Sequence, residues 1–247
     1  MTAIQAPASA PTSATVSAPA QQTLHDIQFF YDPISPFACL AFERLPEALQ
    51  GHSVHVRYRP VLFAALLKAH GQLGPAEIPA KREWTYRQVS WLAHHHGVAL
   101  DLPAEHPFNP LPLLRMGLSC ALDACPGETN RWVTEQLMHH VWQGGRSASD
   151  PGRLAALQAR LQEHMAARGR PWLEPDSEAV KQRLRVNTDQ ALALGLFGVP
   201  SLVLNGRVFW GLDALPMLRA SLDGDAWFEA GEWVRSADRP AAVQRRK

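Results

Sequence analysis

Two short motifs far apart in the chain hold groups that can do chemistry: Ser35-Pro36 near one end and Val199-Pro200 near the other. A hydroxyl just before a proline can accept from the free amides of a helix's first turn, and proline at the first helical position forfeits no hydrogen bond. Such a serine either caps a helix and does nothing more, or caps it while facing a bound group. Val199-Pro200 by itself reads as an ordinary turn. Asp213, after Trp210-Gly211-Leu212, reads by itself as a helix cap. Lys81 alone reads as a solvated lysine at a helix start, and Phe108-Asn109 as a turn in a proline-rich loop.

Other chemical residues carry less. His94-His95-His96 and His139-His140 suggest metal ligation. Neighbouring helical residues point about 100° apart, however, so they do not share one ion easily. No metal is expected. Cys39 falls in the body of a helix, away from the amide end that lowers a thiol pKa. Cys120 and Cys125 read as small core residues on one helix. The Trp and Leu spacing along residues 84–92 reads as packing.

The elements that must position these groups follow from pattern. Ile27-Gln28-Phe29-Phe30-Tyr31 is a strand stopped by Asp32-Pro33, a helix starts at Ser35-Pro36 and breaks at Pro46, and residues 53–58 alternate as a second strand. Helical periodicity then runs over 81–96, 111–124, 129–142 and 150–168, and again from Asp176-Ser177 to Leu194 with Gly195 as its stop. Two apolar runs flanking Asn205-Gly206 predict a hairpin with a type I′ turn, and Asp213 is placed to cap a last helix carrying Leu215, Leu218 and Leu222. The order β-α-β, helical block, α-β-β-α is that of an α/β thioredoxin fold with an inserted all-helical domain. Its expected divisions are 24–60 with 173–225 for the discontinuous thioredoxin-like domain and 61–172 for the insertion.

Composition bounds the rest. In 247 residues, 24 Lys and Arg nearly balance 23 Asp and Glu, for a net charge of +1, so neither a nucleic acid nor a membrane surface is an expected partner. Three cysteines are too few for a disulfide scaffold, which points to a reduced, cytoplasmic compartment. Residues 1–23 hold no charged side chain and are rich in Ala, Pro, Ser, Thr and Gln; a disordered tail is expected there, and a polar tail over 230–247.

In a thioredoxin fold the reactive group sits at the start of the first helix. Here that place holds Ser35-Pro36-Phe37-Ala38, then Cys39-Leu40-Ala41, behind Phe30-Tyr31-Asp32. This run resembles the signature of the kappa-class glutathione transferases and the related 2-hydroxychromene-2-carboxylate isomerases. Phe197-Gly198-Val199-Pro200-Ser201, Asn205-Gly206 and Phe209-Trp210-Gly211-Leu212-Asp213 match that family in order and spacing, and Pro107-Phe108-Asn109-Pro110 resembles another of its stretches. The likeness covers about 24–222. It implies glutathione as cofactor, a small aromatic acid as substrate, and a homodimer. It also implies that Ser35 donates to the glutathione sulfur, that Val199 pairs with the cysteinyl backbone across a cis proline, and that Trp210, Gly211, Leu212 and Asp213 hold the γ-glutamyl end. Lys81 takes the glycyl carboxylate, Gln72 stands where relatives carry Asn, and Phe108 and Asn109 meet the aromatic acid. The implied reaction is isomerisation of 2-hydroxychromene-2-carboxylate to trans-o-hydroxybenzylidenepyruvate. The alternatives are transfer of glutathione to electrophiles, thiol–disulfide exchange through Cys39, and binding without catalysis.

Overall fold

A computed structural model describes residues 23–240 of the chain. All but Thr23 of the segment expected to be a disordered tail, and 241–247 at the other end, lie outside these residues.

Strand β1 (His25–Tyr31) is followed by α1 (Pro36–Ala48) and β2 (Val54–Pro60). Five helices come next: α2 (Phe63–Ala69), α3 (Pro79–His96), α4 (Leu111–Ser119), α5 (Arg131–Trp142) and α6 (Pro151–Ala166). Then follow α7 (Glu178–Ala193), β3 (Ser201–Leu204), β4 (Arg207–Trp210), α8 (Leu215–Leu222), α9 (Ala226–Glu229) and α10 (Glu232–Ala237). The sheet order is β2-β1-β3-β4, with β1 parallel to β2 and antiparallel to β3. This is the thioredoxin arrangement expected from the element order, with α2–α6 between the second strand and α7.

Strand β1 is apolar without alternation because both its faces are covered. Phe29 and Tyr31 enter the main core with Leu113, Val133, Leu137 and Leu157, whereas Phe30 packs with Val61, Leu196, Val199 and Val203 on the other side. Residues from the helical block and from the sheet therefore share one core. A buried hydroxyl chain ties them further: Tyr31 Oη lies 3.0 Å from Thr129 Oγ1, which lies 2.8 Å from Thr134 Oγ1. The hairpin turn has φ +51° at Asn205 and +75° at Gly206, as type I′ demands.

Several boundaries differ from the sequence expectation, each for a tertiary reason. Helix α1 continues through Pro46 to Ala48. Proline has no N–H for the Phe42 carbonyl four residues back, and Arg131 Nη1 donates to that oxygen instead, at 3.4 Å, with its guanidinium 4.2 Å over the Phe42 ring. Arg131→Met should remove both contacts and cost about 1–2 kcal/mol, read as a lower urea midpoint at unchanged slope. Helix α4 stops at Ser119 rather than near residue 124, because Arg183 of α7 takes the Leu118 and Ala121 carbonyls at 3.1 and 3.0 Å. Cys125 consequently lies in an exposed turn, while Cys120 is buried as expected.

Trp84 and Trp91 are 62% and 59% exposed, contrary to the packing role expected of them. Helix α3 buries Thr85, Val89 and Ala93 instead, and Trp91 stacks on His95 one turn along. The segment from residue 230, read as a polar tail, includes α10, because Trp233 packs against Phe209 and Phe228. Among the described residues no helix is long and apolar enough to cross a membrane.

Candidate active site

Ser35 is the N-cap of α1, with extended backbone and Pro36 at the first helical position. Its Oγ accepts from Ala38 N at 3.3 Å and donates to the Val199 carbonyl at 3.4 Å. The two proline motifs, 164 residues apart, thus meet through one hydroxyl. The second bond is long enough to be weak, so the hydroxyl proton is easily redirected. Ser35 is buried, and the Val199–Pro200 peptide is cis.

Beside this contact opens a cavity of about 620 Å³. Val199, Trp210, Gly211, Leu212 and Asp213, all singled out from sequence, line it together with Phe37. The sharp path between β4 and α8 needs Gly211, whose φ is +92° and where a Cβ would stand 2.4 Å from Asp213 Oδ1. Gly198 likewise lets the Trp210 indole lie against the backbone, since a Cβ there would be 2.5 Å from its Nε1. Phe197 meets the same indole with ring centroids 4.8 Å apart. Asp213 does not cap α8 by its side chain: it sits in a 3-10 turn (Leu212–Ala214) that precedes the helix, and its carboxylate is exposed at the cavity.

The structure does not bring every candidate to this cavity: Ser35 is not one of its lining residues and adjoins it through Val199. Gln72 and Lys81 are exposed, on the loop after α2 and in the first turn of α3, and neither lines it. Helix α3 contributes Gln88, Leu92 and His96 instead, and Lys81 stands two turns before Gln88 on that stripe, about 10 Å along the axis. Phe108 is half-buried against the core, and Asn109 Oδ1 accepts from Leu111 N at 3.1 Å at the start of α4. Both follow His106, which touches the other flank of the Ser35 loop.

That loop is held by groups the sequence reading did not weigh. Trp142 Nε1 donates to the Pro33 carbonyl and His106 Nε2 to the Ile34 carbonyl, each at 2.8 Å. Burial lowers the His106 pKa, so the ring is neutral, and its Nδ1 accepts from the Tyr86 hydroxyl at 3.0 Å. Asp32, fully buried, accepts from Ile34 N through Oδ1 and from Phe63 N through Oδ2, each at 3.0 Å. Desolvation pushes its carboxyl up to about 7, against the two backbone N–H bonds that lower it. Arg44 and Arg219, at the far end of the cavity, were also missed. The one available signal was Asp32 itself, an acid directly after an apolar strand.

A Cys-based redox site is absent from this helix start. Cys39 is buried in the body of α1, and burial together with nearby Glu43 raises its thiol pKa, the reverse of what a reactive thiol needs.

Gly211→Ala should impose a left-handed backbone on a β-carbon and push it into Asp213. Binding of any ligand that uses this wall is expected to weaken about tenfold, a loss of about 1.4 kcal/mol, measurable by calorimetry.

The chain is 26% identical over 218 residues to glutathione S-transferase kappa 1 of Rattus norvegicus, covering 81% of this chain and 92% of that one. It is 27% identical over 199 residues to 2-hydroxychromene-2-carboxylate isomerase of Pseudomonas putida, covering 79% and 93%. A solved structure of 2-hydroxychromene-2-carboxylate isomerase superimposes with a TM-score of 0.64 at 22% identity, over 84% of this chain and 98% of that one. The same fold carries a cytosolic disulfide reductase of Pseudomonas aeruginosa, with a TM-score of 0.50 at 18% identity over 85% of this chain and 99% of that one. Residues 26–223 match the model of the DSBA-like thioredoxin domain, and the chain belongs to that family.

Proposed function

We propose that this chain is a glutathione-dependent isomerase of the 2-hydroxychromene-2-carboxylate type, acting on an acidic aromatic-degradation intermediate. The observation that carries the reading is the placement of Ser35: a buried hydroxyl at a helix N-terminus, 3.4 Å from the Val199 carbonyl, where an oxidoreductase would need a reactive cysteine. The curated relatives supply the cofactor class, being glutathione transferases and isomerases by name. The residues around the cavity suit glutathione in particular.

A free thiol with a pKa near 8.5 is mostly protonated at neutral pH, and amides at a helix start with one hydroxyl donor favour the thiolate. When the sulfur arrives, the Ser35 proton turns from the Val199 carbonyl to the sulfur. That frees the carbonyl to accept from the cysteinyl N–H, as an added strand would. Asp213 and the amides of the turn at Gly211 receive the α-ammonium and α-carboxylate of the γ-glutamyl group, against Trp210 and Leu212. Lys81, and Gln72 beside the same end of α3, take the glycyl carboxylate. Phe108 and Asn109, next to the His106 flank of the loop, face the aromatic acid.

In the reaction, the glutathione sulfur adds to the substrate ring system and the ring carbon–oxygen bond breaks. Rotation follows about a bond that is transiently single, and the carbon–sulfur bond breaks to return the thiolate. Ser35 stabilises the sulfur both as attacking and as leaving group. Nothing is oxidised or reduced, so no redox thiol is required, in keeping with the buried Cys39.

The first experiment is ultraviolet absorbance of the thiolate while glutathione is titrated into the protein across pH. A bound thiol ionising well below its free pKa supports the reading, and no thiolate signal overturns it. Turnover of 2-hydroxychromene-2-carboxylate against that of a halogenated nitroarene then decides between isomerase and transferase.

A further inference from the structure

A second cavity, of about 560 Å³, lies between α5 and α6, apart from the Ser35 cleft. Its walls include Arg146, Arg153, Arg160, His139, His140 and Gln143. Some arginines elsewhere meet carboxylates, as Arg44 does Glu47, Arg183 does Asp123 and Arg219 does Asp223, and others, such as Arg59 and Arg131, do not. Among the described residues, none of the three arginines of this cavity is in such an ion pair.

The nearby acids are engaged in other contacts. Asp150 accepts from Arg153 N at 2.8 Å as the cap of α6, Glu105 accepts from the Ser147 hydroxyl, and Glu43 accepts from His139 Nε2 at 2.8 Å. Arg153 is fixed in place by donating to the Ser147 and His140 carbonyls, so its charge is not free to swing into solvent. Arg146 follows Gly144 and Gly145, whose φ values of +82° and +61° turn the chain over the end of α5. His140 is buried and spends Nε2 on the Ala148 carbonyl at 3.0 Å. Its pKa is lowered by burial first and, against the Ala148 hydrogen bond that raises it, by Arg153, Arg160 and Arg146, while Asp150 and Glu105 act on Arg153 from nearby without pairing with it.

Like charges this close repel, and they are stable together when a shared counter-charge joins them. We infer that the cavity between α5 and α6 is a binding site for a small phosphorylated polyanion, gripped by Arg146 and Arg160, with Arg153 adding its fixed charge. Guanidinium forks match phosphate oxygens two at a time, and a ligand of two or more charges answers three arginines better than a single carboxylate. Of the residues lining the cavity only Ala156 and Leu157 are apolar, which disfavours an aromatic acid and separates this site from the Ser35 cleft. The volume accommodates a pyrophosphate group alone or one that carries a nucleoside.

The test is calorimetric titration of the full chain with inorganic pyrophosphate and, separately, with ADP, without divalent metal at about 0.15 M salt. Saturable one-site binding is expected. It should weaken at least about tenfold in the Arg146→Gln, Arg160→Gln double variant, since two charge-assisted contacts are lost. Circular dichroism checks that the variant is folded, and Arg153, which braces the turn, is left intact. Pyrophosphate should raise the His140 titration midpoint seen by NMR in the wild type, and Ser35→Ala should bind pyrophosphate as the wild type does. Equal affinity for both titrants assigns the site to free polyphosphate, and tighter ADP binding assigns it to a nucleotide. No saturable binding of either, equal affinity in the double variant, or competition by glutathione would overturn the proposal.

Discussion

Ser35→Ala is expected to raise the pKa of bound glutathione by about one to two units, the worth of one hydrogen bond to a charged group. Turnover should fall by about 10²–10³, as when one donor is removed from a developing anion. Alanine leaves the cavity wall and the helix amides in place, so the protonated thiol should bind as before and the loss should appear in kcat rather than in KM. The pH–rate profile carries the decision: its limb must move to higher pH with the thiol. Loss of activity with an unmoved limb would reduce Ser35 to its other role, as the cap on Ala38 N. That role predicts a separate cost of about 1 kcal/mol in stability at every pH.

The second large effect concerns Asp32 and is one of stability. Its carboxyl is raised from the ordinary 3.8 to about 7 by desolvation. The folded chain therefore holds this proton more tightly than the unfolded chain does. The corresponding stabilisation is complete below about pH 4, declines as pH rises between there and about 7, and is gone above that. The size is about 4 kcal/mol at 1.36 kcal/mol per unit.

Asp32→Asn cannot ionise, and its amide offers one acceptor to two N–H groups, Ile34 and Phe63. The variant should be less stable than the wild type in acid and gain on it steadily toward neutrality. Urea unfolding of both proteins from about pH 4 to about pH 8 should show the difference shifting by about 4 kcal/mol. A pH-independent difference would mean that Asp32 keeps an ordinary carboxylate pKa inside the fold. Because Asp32 anchors Ile34, one residue before Ser35, its ionisation also bears on how firmly the Ser35 loop is held.

Much of this architecture was readable from neighbouring residues. Asn205-Gly206 between apolar runs specifies its own turn, because both positions need φ above zero and few residue types accept it. Ser35, Asp150 and Ser177 each cap the helix that follows, and Gly97 ends α3 in a left-handed conformation, as their positions beside periodic runs required. The order of strands and helices, and the motifs at 35–36 and 197–213, likewise pointed to the fold and to Ser35.

What tertiary structure alone decided are contacts between groups far apart in the chain. Pro46 reads locally as a helix stop, and the helix passes through it because Arg131, 89 residues from Phe42, donates to the orphaned carbonyl. Residues 120–124 read as helix, and the helix ends before them because Arg183 on α7 takes the Leu118 and Ala121 carbonyls. His106, Trp142 and Phe63 converge on Asp32, Pro33 and Ile34 from three separate parts of the chain, and no periodicity announces that. The walls of the first cavity belong to the same class. Gln88 and His96 on α3 line the first cavity beside Val199 and Asp213 only because elements distant in sequence pack side by side, whereas Arg146, Arg153 and Arg160 gather on consecutive elements. Local sequence sets the elements and their caps through bonds that close within a few residues. Which side chains meet, and at what potential, depends on packing between elements.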